Sequence, residues 1–149
     1  MLSDLPKDIA GLCAVVQGLL IHDGAVSKLY GRPPPGFTID RETKPITTRI
    51  EIARLNGVPL TLRRSPFERQ VGTCRDFAAM LTAFARNAGY QARVRCGYAA
   101  YLSNDLPQDH WIVEYREQYG VQWQLADAQM DQAHCQHYAV TLDASEVPR

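Results

Sequence analysis

The sequence predicts an α+β fold in which one strong amphipathic helix is followed by an antiparallel meander. The helix is read over Cys74 to Ala88, where Phe77, Leu81, Phe84, Ala85 and Ala88 recur on one face and Gly89 stands where a left-handed cap belongs. Three strand-like stretches follow: Gln91 to Leu102, His110 to Arg116 and Val121 to Ala126. In the second, Trp111, Val113 and Tyr115 alternate with Ile112, Glu114 and Arg116, and in the third Trp123 and Leu125 repeat the pattern. The segment Asn104 to Gln108 joins the first two stretches, and Tyr119-Gly120 turns between the second and third.

Upstream, a first helix is expected from about Leu5 to His22. Asp4 would cap it, Pro6 suits its first turn, and Leu5, Ile9, Leu12, Val16, Leu19 and Leu20 form its apolar stripe. Gly24 would end it. Tyr30 to Asp40, with Pro33, Pro34, Pro35 and two glycines, reads as an extended loop. A second helix is expected over Ile46 to Leu55, stopped by Asn56-Gly57, and Pro59 to Gln70 reads as an irregular connection rich in Arg63, Arg64 and Arg69. Beyond Asp127 the periodicity fades, and the tail from Asp143 is expected to fray. The whole chain, 1–149, reads as one domain, with a helical part to about residue 69 and a chemical core over about 70–131.

Composition narrows the function. The 149 residues carry 16 Lys+Arg against 16 Asp+Glu, and 46% are hydrophobic. Disorder needs the opposite balance, and a phosphate backbone needs a cationic excess, so no nucleic-acid partner is expected. Leu12 to Ile21 is too short, and too interrupted by Gln17 and Gly18, to span a bilayer. The leading segment holds Asp4 and Asp8 against Lys7, unlike a secretion signal, so a cytoplasmic protein with no membrane partner is expected. His134-Cys135-Gln136-His137 crowds three potential ligands into four positions with no second cluster to complete a tetrahedron. That segment is expected to be a surface loop, and neither a metal nor any other cofactor is implied. No calcium-loop pattern occurs either.

The four cysteines, Cys13, Cys74, Cys96 and Cys135, form no CxxC pair. Cys13 and Cys96 read as small buried side chains, and His22 as a helix-end residue. Cys74 differs from the other thiols by position. It follows Gly72-Thr73 and opens the strong helix, where free N–H groups and the positive helix end favour thiolate. A thiolate catalyst needs a base, and His110 begins a strand after the turn-rich Ser103-Asn104-Asp105-Leu106-Pro107. The base needs an orienting acceptor. Asp127 ends the next strand, and in an antiparallel hairpin the end of one strand lies beside the start of its neighbour. Asp76 is assigned to the helix dipole and Asp131 to solvent. Asp109 should face away from the site, because neighbours on a strand point to opposite sides.

The segments Gly72-Thr73-Cys74-Arg75-Asp76-Phe77-Ala78, Ala88 to Tyr98, Asp109 to Tyr115 and Trp123 to Gln129 resemble the transglutaminase-like superfamily, its small bacterial members most closely. The resemblance covers about Gln70 to Asp131. It implies a papain-like fold, with the cysteine-bearing helix packed on an antiparallel sheet that carries His110 and Asp127. It also implies Cys74 as nucleophile, His110 as base and Asp127 as orienter. Arg75 stands where the animal cross-linking enzymes have tryptophan. The activity implied is thiol-dependent attack on an amide or peptide bond of a protein or peptide substrate, through an acyl-enzyme, ending in hydrolysis, deamidation or acyl transfer. The other reading is a non-catalytic papain-like domain that binds a peptide or protein. Gln70 is a candidate second oxyanion donor beside the Cys74 N–H. Arg75, Tyr98 and Tyr101 are candidate substrate contacts.

Overall fold

A computed structural model describes residues 2–103 and 106–148; Asn104 and Asp105 of the turn-rich loop lie outside them. The first helix, α1 (Ile9–Leu19), is capped by Asp8, whose carboxylate accepts the Gly11 N–H at 2.7 Å. The cap is therefore one turn later than Asp4, and the helix stops short of His22. Leu20–His22 is instead a strand, β1. The run Leu19-Leu20-Ile21 is apolar on every side, so its periodicity cannot distinguish a helix end from a buried strand.

A short helix, α2 (Val26–Tyr30), comes next and was not anticipated from the sequence. After the proline-rich loop, α3 (Ile46–Arg54) ends close to the expected place, with Gly57 beyond it at a φ of 70°. Gln70–Gly72 forms β2, which pairs in parallel with β1 in the register Leu20↔Gln70, Ile21↔Val71, His22↔Gly72. This two-stranded sheet brings His22 level with the residues that precede Cys74.

The helix α4 (Cys74–Asn87) matches its sequence signature closely. Phe77, Leu81, Phe84 and Ala85 are buried, and Gly89 adopts a φ of 101°, which favours glycine. Strands β3 (Gln91–Ala99), β4 (Gln108–Arg116) and β5 (Gln124–Ala126) form the antiparallel meander in that order. Pairing of β4 with β5 covers only Val113↔Ala126 to Tyr115↔Gln124, so the chain leaves the sheet just before Asp127, next to the open end of β4.

One apolar cluster spans both halves of the chain. Leu12, Val16 and Leu19 of α1 meet Met80, Leu81 and Phe84 of α4 and Val113 of β4, all essentially without solvent contact. Each such side chain contributes about 1.5–3 kcal/mol of burial. The N-terminal segment and the 70–131 stretch thus share a core. Among the described residues no helix is long and apolar enough to cross a membrane.

Three expectations are corrected here. The His134–His137 segment lies in a helix, α5 (Gln132–Tyr138), with Asp131 as its cap, and is not a loop. The tail does not fray: Asp127 donates its N–H to the Ala144 carbonyl at 2.7 Å, Val147 donates to Leu125 at 2.8 Å, and the Val147 side chain is buried. Cys96 is exposed on β3, although Cys13 is buried as expected.

Candidate active site

Cys74 is the first residue of α4, half-buried, and its N–H is one of those a helix start leaves without an intrahelical partner. Local chemistry fixes this start. Asp76 accepts the Thr73 N–H at 2.8 Å and the Thr73 hydroxyl at 3.2 Å, closing a capping box around the turn. Gly72 packs closely on this turn, where a Cβ would meet the Asp76 Cβ at 3.0 Å.

A buried arginine braces the same turn. Arg49 of α3 donates to the Val71 carbonyl at 3.0 Å and pairs with Asp76 at 3.2 Å. Gln70, the candidate oxyanion donor, also serves this brace: its Nε2 donates to the Arg49 carbonyl at 2.8 Å. One N–H of its amide is thus bonded to α3.

His110 and Asp127 meet as the hairpin argument expects. His110 Nε2 lies 2.7 Å from Asp127 Oδ2, with both side chains buried. The same Asp127 oxygen accepts the Tyr101 hydroxyl at 2.8 Å, and Oδ1 accepts the Gln129 N–H at 3.0 Å. The Tyr101 ring stands edge-on to the imidazole at 6.1 Å. Gly97 lies opposite His110 in the β3–β4 register.

The sulfur completes the chain of contacts. Burial pushes the Cys74 thiol up, but hydrogen bonds from His110, His22 and the Trp111 backbone outweigh it and bring the thiol down to about 6. Burial pushes the His110 imidazolium down, yet its hydrogen bonds to Asp127 and Cys74 carry it up to about 9. Between those values the stable arrangement is thiolate against imidazolium, with Asp127 holding the far nitrogen. Burial drives the Cys13 thiol upward, and the half-buried Cys135 thiol likewise.

The remaining sequence candidates are distributed as follows. Arg75 is exposed and donates to the Thr43 hydroxyl at 2.7 Å. Tyr98 is 82% exposed, and with Tyr101, His110 and Ile112 it lines a cavity of about 240 Å³ on one side of the imidazole. Tyr101 is thereby both a cavity wall and a partner of Asp127. Asp109 is exposed at the register position of Tyr98. Asp131 is buried and not solvated. It accepts His134 Nδ1 at 2.8 Å, the His134 N–H at 3.0 Å and the Tyr30 hydroxyl at 2.7 Å. Those bonds outweigh its desolvation and hold its carboxyl at about 2. Among the described residues no group of three His, Cys, Asp or Glu side chains is arranged to hold a metal ion.

Sequence reasoning missed His22 and Arg49. The one cue for His22 was a polar residue closing an apolar run. Arg49 gave no cue, since a single arginine in an amphipathic helix is ordinarily solvated.

Residues 64–128 match the family model of the Transglutaminase-like superfamily. The matched stretch contains Cys74, His110 and Asp127, and the superfamily commonly has a Cys-His-Asp thiol enzyme activity. No curated protein and no solved structure matches the chain.

Proposed function

We propose that this chain is a thiol enzyme that opens amide or peptide bonds through Cys74, His110 and Asp127. The observation that carries the reading is the buried His110–Asp127 pair at 2.7 Å, with His110 also hydrogen-bonded to the Cys74 sulfur. A solitary cysteine at a helix start would support far less, because structural residues occupy such positions too.

The mechanism follows from the order of proton affinities. The Cys74 thiolate adds to the carbonyl carbon, and the carbonyl π pair moves to oxygen. When that pair returns, the C–N bond breaks and His110, as imidazolium, gives its proton to the departing amine. The neutral imidazole then takes a proton from water or from an acceptor amine as it attacks the thioester. Water yields hydrolysis or deamidation, and an amine yields acyl transfer. Asp127 keeps the ring in one orientation and stabilises its cationic form. A protein or peptide is the proposed substrate, and the cavity beside Tyr98, Tyr101 and His110 is its proposed binding wall.

The test is covalent trapping. Incubation with a library of peptides and glutamine-containing substrates, quenched in acid and examined by mass spectrometry, is expected to show an acyl adduct on the peptide containing Cys74. Cys74→Ala should give none. Adducts spread evenly over the four cysteines, or an unchanged turnover in Cys74→Ala, would sink the proposal.

A further inference from the structure

Acyl transfer through Cys74 places negative charge on the substrate carbonyl oxygen, and the Cys74 N–H supplies one donor for it. A second donor is needed, and the Gln70 amide already gives one N–H to the Arg49 carbonyl. One imidazole other than His110 touches the sulfur, that of His22.

The placement of His22 follows from the fold. It ends β1, and the parallel pairing sets it opposite Gly72, two residues before Cys74. Its ring lies 6.5 Å from that of Phe77 in the first turn of α4. Its Nδ1 accepts the Gly24 N–H at 3.2 Å and lies 3.4 Å from Asp23 Oδ1. Where Nδ1 accepts the Gly24 N–H, the neutral ring carries its proton on Nε2, and in the imidazolium Nε2 is protonated as well, so in both states Nε2 is a donor. Only a neutral ring with its proton on Nδ1, turned to Asp23, would leave Nε2 bare. The ring also borders a cavity of about 210 Å³ shared with Gln108, Gln129 and His134.

We infer that His22 is a further catalytic residue, whose Nε2–H holds the substrate carbonyl oxygen as Cys74 adds to it. The inference rests on the proposed role of Cys74. The division of labour is geometric: His110, tied to Asp127, handles protons, while His22, tied to the Gly24 turn, contributes a fixed dipole. A fixed donor aimed at developing charge is worth more than one that must reorient, because no reorganisation accompanies the reaction.

The experiment uses p-nitrophenyl acetate as the acyl donor and the whole chain. The thiolate forms an S–C bond, the C–O bond to p-nitrophenolate breaks, and the anion is read as a burst. Wild-type should give a burst that Cys74→Ala lacks. His22→Ala should slow the burst by about 10²- to 10³-fold, the effect of losing one oxyanion donor. His22→Gln, which keeps an N–H donor, should recover most of that loss. Both rates are followed to alkaline pH, beside alkylation of Cys74 by iodoacetamide, a displacement that develops no oxyanion. In His22→Ala, alkylation should reach the wild-type plateau once the thiol is ionised, while acylation stays depressed at every pH. If acylation also returns to the wild-type plateau, His22 only assists ionisation of the thiol and the inference is overturned. A normal, Cys74-dependent burst in His22→Ala overturns it as well. A wild-type protein without a burst, or a burst that survives in Cys74→Ala, instead defeats the enzyme reading beneath it.

Discussion

His110 Nε2 and Asp127 Oδ2 stand 2.7 Å apart in a buried setting, and the same oxygen accepts the Tyr101 hydroxyl. The carboxylate therefore has two donors that fix it before it can orient the ring. Exchanging it for a carboxamide would remove the charge that favours imidazolium while keeping the shape. Asp127→Asn is expected to lower Cys74 acylation by about 10²- to 10⁴-fold, the range set by loss of the correct ring state in a triad. Asp131→Asn should leave acylation near wild type, because Asp131 serves His134 and Tyr30. Equal losses in the two variants would remove the distinction between the acids.

Reactivity of Cys74 should titrate at about 6, well below an ordinary thiol at 9.0. At pH 6 about half of it is thiolate, against about one part in a thousand for an ordinary cysteine. Its greater acidity makes the sulfur a poorer nucleophile, which offsets roughly 20-fold of that advantage. The expected preference for Cys74 in iodoacetamide labelling is then about 20-fold at pH 6 and only about fourfold at pH 7. Labelling below neutrality is thus the sensitive measurement. For turnover, falling pH protonates the thiolate near 6 and rising pH removes the His110 proton near 9, so kcat/KM should trace a bell between those values. A rate that climbs without a break above pH 9 would contradict the imidazolium role.

The proposed triad was legible in sequence because its members sit at or near the ends of strongly patterned elements. Cys74 opens α4, and Asp127 follows β5; His110, near the start of β4, is brought beside it by hairpin pairing. What stayed hidden depends on contacts between distant segments. His22 reaches the site only through parallel pairing of two three-residue strands, whose local signal is indistinguishable from a helix end. Asp131 looked solvated because its partners include Tyr30, far away in the chain. The tail looked frayed because its order comes from backbone bonds to Leu125 and Asp127, which carry no side-chain pattern. Arg49 was silent for the same reason as Asp131: its partners, the Val71 carbonyl and Asp76, lie more than twenty residues away.

That arginine carries the third prediction. Arg49 is 3% exposed and joins α3 to β2 and to Asp76 at the start of α4. Truncation would strand a buried carboxylate and free the Val71 carbonyl. Arg49→Ala should destabilise the fold by about 3–5 kcal/mol, the cost of breaking a buried pair from one side. For a chain of this size that is a fall in Tm of about 10 °C or more. Since the same turn presents Cys74, iodoacetamide labelling at pH 6 should weaken even below the melting range. A thermal scan showing no shift would mean that the Thr73–Asp76 capping box suffices alone.

Asp131 provides a separate test of stability against pH. Its folded carboxyl titrates at about 2, below its ordinary 3.8, because the bonds from His134 and Tyr30 outweigh burial. A depressed carboxyl contributes stability that is complete above the unfolded value and is lost as pH falls through the folded one. The contribution is about 2 kcal/mol at neutrality and should disappear between about pH 4 and pH 2. Asp131→Asn should therefore be less stable than wild type by about that amount at pH 7, and the two denaturation midpoints should converge in acid. Asp131 also caps α5, a role that Asn can take over. The convergence separates the two contributions: a capping one persists at pH 2, whereas the titrating one does not. Parallel curves across the acid range would show that the charge of Asp131 contributes nothing to the fold.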